Sequence, residues 1–110
     1  MAGSIRYHLV VGDKIADIGS VSYTEYTLQE IVIATASTDT AINFGGVTTA
    51  DVVYIKSDQA ITINIDSNTG TDITLDANKP LLLTGTAITA LYVSNASGSS
   101  ANITVALWGA

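Results

Sequence analysis

Three features of this 110-residue sequence predict an all-β protein, an antiparallel β-sandwich. Apolar residues recur with period two in "AITINID", "DITLD" and "NITVALW", and strand side chains alternate between two faces, so each segment reads as a half-buried strand. No window of useful length carries helical spacing. Clusters of Gly, Ser, Asn and Asp punctuate the chain at short intervals, as a sandwich or barrel requires. Two packed sheets of jelly-roll type are the first choice, an immunoglobulin-like order the alternative.

The elements follow in chain order. Residues 4–11 form a strand carrying His8, the single histidine. The stretch "VGDKIADIGSVSYTEYTLQE" alternates weakly and is broken by Gly12 and Gly19. Residues 1–27 therefore read as an outer strand, or as an extended arm that pairs with a neighbour's sheet edge. The sandwich core is assigned to residues 28–110, within one domain overall. Its first strand covers 28–35 and, after the loop "NFGGVTTAD", its second covers 51–56. In the next, Ile61, Ile63 and Ile65 face inward, with Thr62, Asn64 and Asp66 outward. Asn68 and Gly70 of "DSNTGTD" suit the positive φ of a tight hairpin turn. Then "DITLD" turns Ile73 and Leu75 inward. Asn78 ends that strand, and Pro80 opens the next or sits at its edge, with residues 81–83 following. Residues 88–94 and 102–108 complete the set, with Ile103, Val105 and Leu107 buried.

"TADVVYIKSDQAITINI" and "ITALYVSNASGSSANITVAL" echo each other as two β-hairpins. Tyr54 and Tyr92 hold related places in them, as neighbours across a sheet, and residues 95–100 form the loop of the final hairpin. Two glycosylation-type tripeptides, Asn95-Ala96-Ser97 and Asn102-Ile103-Thr104, fall here. They are read as a loop tip and a subunit contact, not as a glycan address.

Composition narrows the function. Charged residues make up 13% of the chain, about half the usual share of ~25%. A monomer with so few surface charges tends to self-associate. The net charge is −6, and the four basic residues Arg6, Lys14, Lys56 and Lys79 are scattered; nucleic acid and anionic membranes are not expected partners. There is no cysteine, hence no disulfide, thiolate metal site or Cys nucleophile. The opening "MAGSIRYHLVVGDK" lacks the pattern of a signal peptide, and no apolar run approaches the ~20 residues of a membrane span.

Catalytic chemistry finds little support. His8 lies in apolar "IRYHLVV" without a nearby carboxylate, and no GxSxG-type elbow occurs. Asp66, Asp72 and Asp76 flank a hairpin on its solvent side. "DSNTGTD" mimics a calcium loop through Asp66, Asn68 and Asp72, but Gly70 falls at the fifth position and Ala77 at the twelfth, where a bidentate Glu belongs. No enzyme activity, cofactor or metal is expected. The aromatic residues are the better candidates: Trp108, Tyr92, Tyr54, Tyr23 and Tyr26 are the expected interface set. Trp108 alternates away from buried Leu107, and an exposed indole commonly anchors an interface.

The run "VVYIKSDQAITINID…ITLDANKPLLLTGTAITALYVSNASGSSANITVALWG", Val52 to Gly109, resembles small β-sandwich virion proteins of tailed bacteriophages. The resemblance implies a capsid decoration (cement) protein, or a minor head or tail component. It further implies a homo-oligomer, with a trimer favoured, that binds the major capsid protein or another virion protein. Such a protein is made in the host cytoplasm and resides in the virion. The alternative function is a carbohydrate- or receptor-binding module of a phage tail or other surface structure, using Tyr54, Tyr92 and the loops 66–72 and 95–102.

Overall fold

The computed structural model describes residues 3–11, 15–67 and 72–110; for residues 4–11, 15–22, 85 and 86 it describes the backbone course alone. Ten strands run in order: β1 (Gly3–Val11), β2 (Ile15–Tyr23), β3 (Glu25–Ile33), β4 (Ser37–Ala41), β5 (Ala50–Ser57), β6 (Ile61–Ile65), β7 (Asp72–Leu75), β8 (Pro80–Ile88), β9 (Leu91–Asn95) and β10 (Ala101–Gly109). No helix occurs among the described residues. The protein is an antiparallel β-sandwich of two four-stranded sheets, β3-β10-β5-β8 and β4-β9-β6-β7.

The pairing is nested. β3 pairs with β10, β4 with β9, β5 with β8 and β6 with β7, as if one long hairpin had been folded over itself. Two further ladders, β5 with β10 and β6 with β9, close the sheets. Consecutive strands such as β5 and β6, or β9 and β10, therefore lie in opposite sheets. The two echoing segments are corner crossings, not the two hairpins expected. β6 and β7 do pair antiparallel as expected, and residues 68–71 between them, including Asn68 and Gly70, lie outside the described residues.

The alternation seen in the sequence supplies the core. Val53, Ile55, Ile63, Leu91, Val93, Ile103, Val105 and Leu107 are each at most 1% exposed. Ile61 and Leu75 join them, while Ile65 and Ile73 pack half-buried against the cluster. Pro80 does open β8, and β8 is an edge strand, where the missing N–H costs no ladder bond. That strand extends to Ile88, well past the three residues the sequence marks. One outward position departs from expectation: Asn64 is only 4% exposed and donates through Nδ2 to the Asp72 carboxylate.

Two strands escape the period-two reading. β4, "STDTA", has no apolar phase, and its register against β9 shifts between Ser37 and Thr40, where Asp39 takes a φ of 51°. Such a short, irregular edge resists pairing with a foreign strand. β2 pairs with β1 over all nine residues, so the N-terminal segment is a hairpin with its own two-stranded ladder rather than a single strand. It joins the sandwich at Thr24, whose N–H and hydroxyl both donate to the Gly109 carbonyl, at 2.7 and 3.2 Å. β2 also approaches β5 and β10. Gly12 lies outside the described residues, as do the side chains of His8 and Gly19's neighbours.

Candidate interaction face

The strand β3 carries the feature that sets the candidate site. Its burial alternates strictly, with Glu25, Thr27, Gln29 and Ile31 half-buried, Ile33 buried, and Tyr26, Leu28, Glu30 and Val32 exposed. Over its first half the apolar phase thus points to solvent and the polar phase inward. A one-residue slip would reverse this, but it would also expel Ile31 and Ile33 from the core. Loop residues before β5 receive the inward polar side chains: Gln29 donates through Nε2 to the Asn43 carbonyl. A Cβ on Gly45, itself at a φ of +57°, would stand 3.6 Å from the Thr27 hydroxyl.

The outer surface of β3-β10-β5-β8 continues this apolar phase. Side chains directly opposite in an antiparallel ladder share a face, and the registers define three rows across all four strands. Tyr26, Trp108, Val52 and Thr84 form the first, and Leu28, Ala106, Tyr54 and Leu82 the second. Glu30, Thr104, Lys56 and Pro80 form the third. The large hydrophobic residues that are exposed among those whose side chains are described, Tyr26 (42%), Leu28 (67%), Val32 (66%) and Leu82 (48%), lie on this one face. Their exposure holds with the N-terminal hairpin in place. Between them the smaller side chains Val52 and Ala106 are 1% and 2% exposed. A concavity of about 410 Å³ along β3 and β10 holds one ionisable group, Glu30.

The expected interface residues divide unequally. Trp108 and Tyr54 are half-buried on this face beside exposed Tyr26, and Tyr23 meets Tyr26 edge-on, with ring centroids 5.9 Å apart. Tyr92 is elsewhere: it pairs with Asn64 and Ala41 in the other sheet. Tyr54 and Tyr92 are therefore on opposite outer faces of the sandwich and not neighbours across a sheet. Leu28, Val32 and Leu82 were not singled out from the sequence. The inverted phase of "YTLQ" ahead of "IVI" was the available signal.

The polar candidates serve the corners. Asn95 is fully buried; its Nδ2 donates to the carbonyls of Ile33 (3.1 Å), Ala34 (3.3 Å) and Ser99 (2.9 Å). Its Oδ1 accepts from the N–H and hydroxyl of Ser97. No atom of this amide is free to carry a sugar. Asn102 is exposed, yet its backbone N–H and Nδ2 both donate to the Asp58 carboxylate at 2.8 Å. Those bonds hold the Asp58 carboxyl below its ordinary pKa. At the opposite end, Asp66 (φ 63°) accepts from the Thr89 N–H, the Thr89 hydroxyl and the Ala90 N–H. The Thr89 N–H is the main cause of its lowered pKa. With Asp66 turned to Thr89 and Asp72 engaged by Asn64, the carboxylates of the calcium-like segment point to separate partners. Among the described residues no group of three or more His, Cys, Asp or Glu side chains gathers as a metal site. No described helix is long and apolar enough to cross a membrane.

Fold and face together define an antiparallel β-sandwich with one apolar outer sheet. Neither a family model, nor a curated protein, nor a solved structure matches the chain.

Proposed function

We propose that this chain is a non-enzymatic structural protein of a virion, a capsid decoration protein that works by burying the outer face of β3-β10-β5-β8 against protein neighbours. One observation carries the reading. Tyr26, Leu28 and Val32 occupy the solvent phase of an edge strand whose inward phase holds Thr27 and Gln29. Burying apolar area is worth roughly 25 cal/mol per Å², so exposing that phase is a standing cost unless a partner covers it. The nested strand order supports a jelly roll over an immunoglobulin-like sandwich, because a jelly roll is two Greek keys built by such nesting. The resemblance of residues 52–109 to small phage virion proteins supplies the setting, with self-association and a capsid protein as partners.

A carbohydrate- or receptor-binding module is less well supported. Its two tyrosines lie on opposite faces, and its two loops lie at opposite ends of the sheet, since Ile65 pairs with Leu91 while Thr62 pairs with Ser94. The decisive experiment adds purified protein to capsid shells prepared without it. The wild type should sediment with the shells and raise their melting temperature. A Leu28→Lys, Val32→Lys variant with an unchanged β spectrum should remain in the supernatant. Wild-type protein that ignores the shells would sink the reading.

A further inference from the structure

We infer that the outer face of β3-β10-β5-β8 is a self-complementary contact for a second copy of this chain, related by a two-fold axis parallel to the strands and midway between β10 and β5. The inference rests on the proposed function and names the partner of that same face. A rotation of this kind turns the two outer faces toward each other and reverses the order of strands while leaving each row at its own level. β3 then lies over the second copy's β8, and β10 over its β5. The central row reads Leu28, Ala106, Tyr54, Leu82 across the sheet. Reversed, it places leucine over leucine at both edges, and each tyrosine over the small Ala106 of the other copy.

The adjoining rows agree. Reversing Tyr26, Trp108, Val52, Thr84 puts each indole over the smaller Val52 of the other copy. Reversing Glu30, Thr104, Lys56, Pro80 brings each Glu30 over Pro80, one strand from the other copy's Lys56. Both charges are exposed, and no ion pair among the described residues engages either. Tyr54 and Trp108 thus meet smaller side chains, leucine meets leucine at the edges, and the acid approaches the base, a self-complementary arrangement that an isologous contact requires. The extent also fits. Four strands about 4.8 Å apart and nine residues at about 3.3 Å give on the order of 600 Å² of projected face. A standard-size interface buries roughly 800 Å² per partner in accessible area. A three-fold contact, being heterologous, would gain nothing from this reversal symmetry.

The test exploits the pairing of Leu28 with Leu82. Within one chain these residues stand at opposite edges of the sheet, three strands apart, so they cannot pair intramolecularly. Wild-type protein should sediment at twice the 11.4 kDa chain mass at tens of micromolar. Leu28→Lys alone and Leu82→Glu alone should each raise the dissociation constant about a hundredfold, through a buried unpaired charge. Both sites are exposed, so circular dichroism should report an unaltered fold. The double variant should recover the dimer, because each introduced lysine then faces the introduced glutamate of the other copy. A wild-type monomer or trimer overturns the inference, as does a dimer indifferent to the single changes or not restored by the double one. A monomer that still binds capsid shells would remove the pair and leave the proposed function standing; a dimer that ignores them would do the reverse.

Discussion

The Asn95 side chain, at the end of one sheet, donates to the Ile33 carbonyl at the end of the other across 3.1 Å. With its bonds to Ala34, Ser97 and Ser99, this amide fastens the β3 exit to the β9–β10 corner. Asn95→Ala should leave several buried groups unpaired, at a cost of about 3 kcal/mol. Urea unfolding monitored by circular dichroism measures it, and a loss under ~1 kcal/mol would deny Asn95 that role.

Gly109 should tolerate no side chain. A Cβ there would stand 1.8 Å from the Thr49 carbonyl oxygen, at the register shift between β10 and β5. Gly109→Ala forces the backbone apart and should lower stability by about 3 kcal/mol or more. Gly98→Ala, whose Cβ meets nothing within 4 Å, should stay within about 0.5 kcal/mol of wild type. Equal melting temperatures for the two variants would contradict the packing at the C-terminal strand.

Acid should loosen both ends of the sandwich. Hydrogen bonds from Asn102 to Asp58 and from Thr89 to Asp66 depress the folded-state pKa of each carboxyl. A depressed carboxylate stabilises the fold above its unfolded pKa, near 4, and that contribution disappears as pH falls through the folded value. The urea midpoint should therefore hold steady from neutral pH to about 5 and decline below about 4. In Asp66→Asn the amide oxygen still accepts from Thr89 but cannot titrate, so the acid decline should be shallower. A decline as steep as wild type's would remove Asp66 from the cause.

Trp108 is the sole tryptophan, so fluorescence excited selectively in the indole band reports the apolar face. If that face is covered on association, emission should move to shorter wavelength as protein concentration rises. Leu28→Lys should abolish the concentration dependence. A wavelength that stays constant from dilute to concentrated wild-type protein would show that Trp108 is not in a contact.

The alternating strands were legible in the residues alone. Ile61, Ile63, Ile103, Val105 and Leu107 took the inward places their spacing assigned, because period two is a local property of the extended chain. Pro80 likewise marked an edge, because a missing N–H is a local fact. Which strand lies beside which was settled at the level of the packed sheets. Tyr54 and Tyr92 occupy matching positions in similar segments, yet they fall on opposite faces because the corners after Ser57 and Asn95 carry the chain across the sandwich. Those corners depend on bonds between residues far apart, such as Asn102 with Asp58 and Asn95 with Ile33, and no local window contains both partners. The apolar outer face has the same origin. Tyr26, Leu28, Tyr54, Leu82 and Trp108 come from four strands, and only the ladders bring them onto one surface.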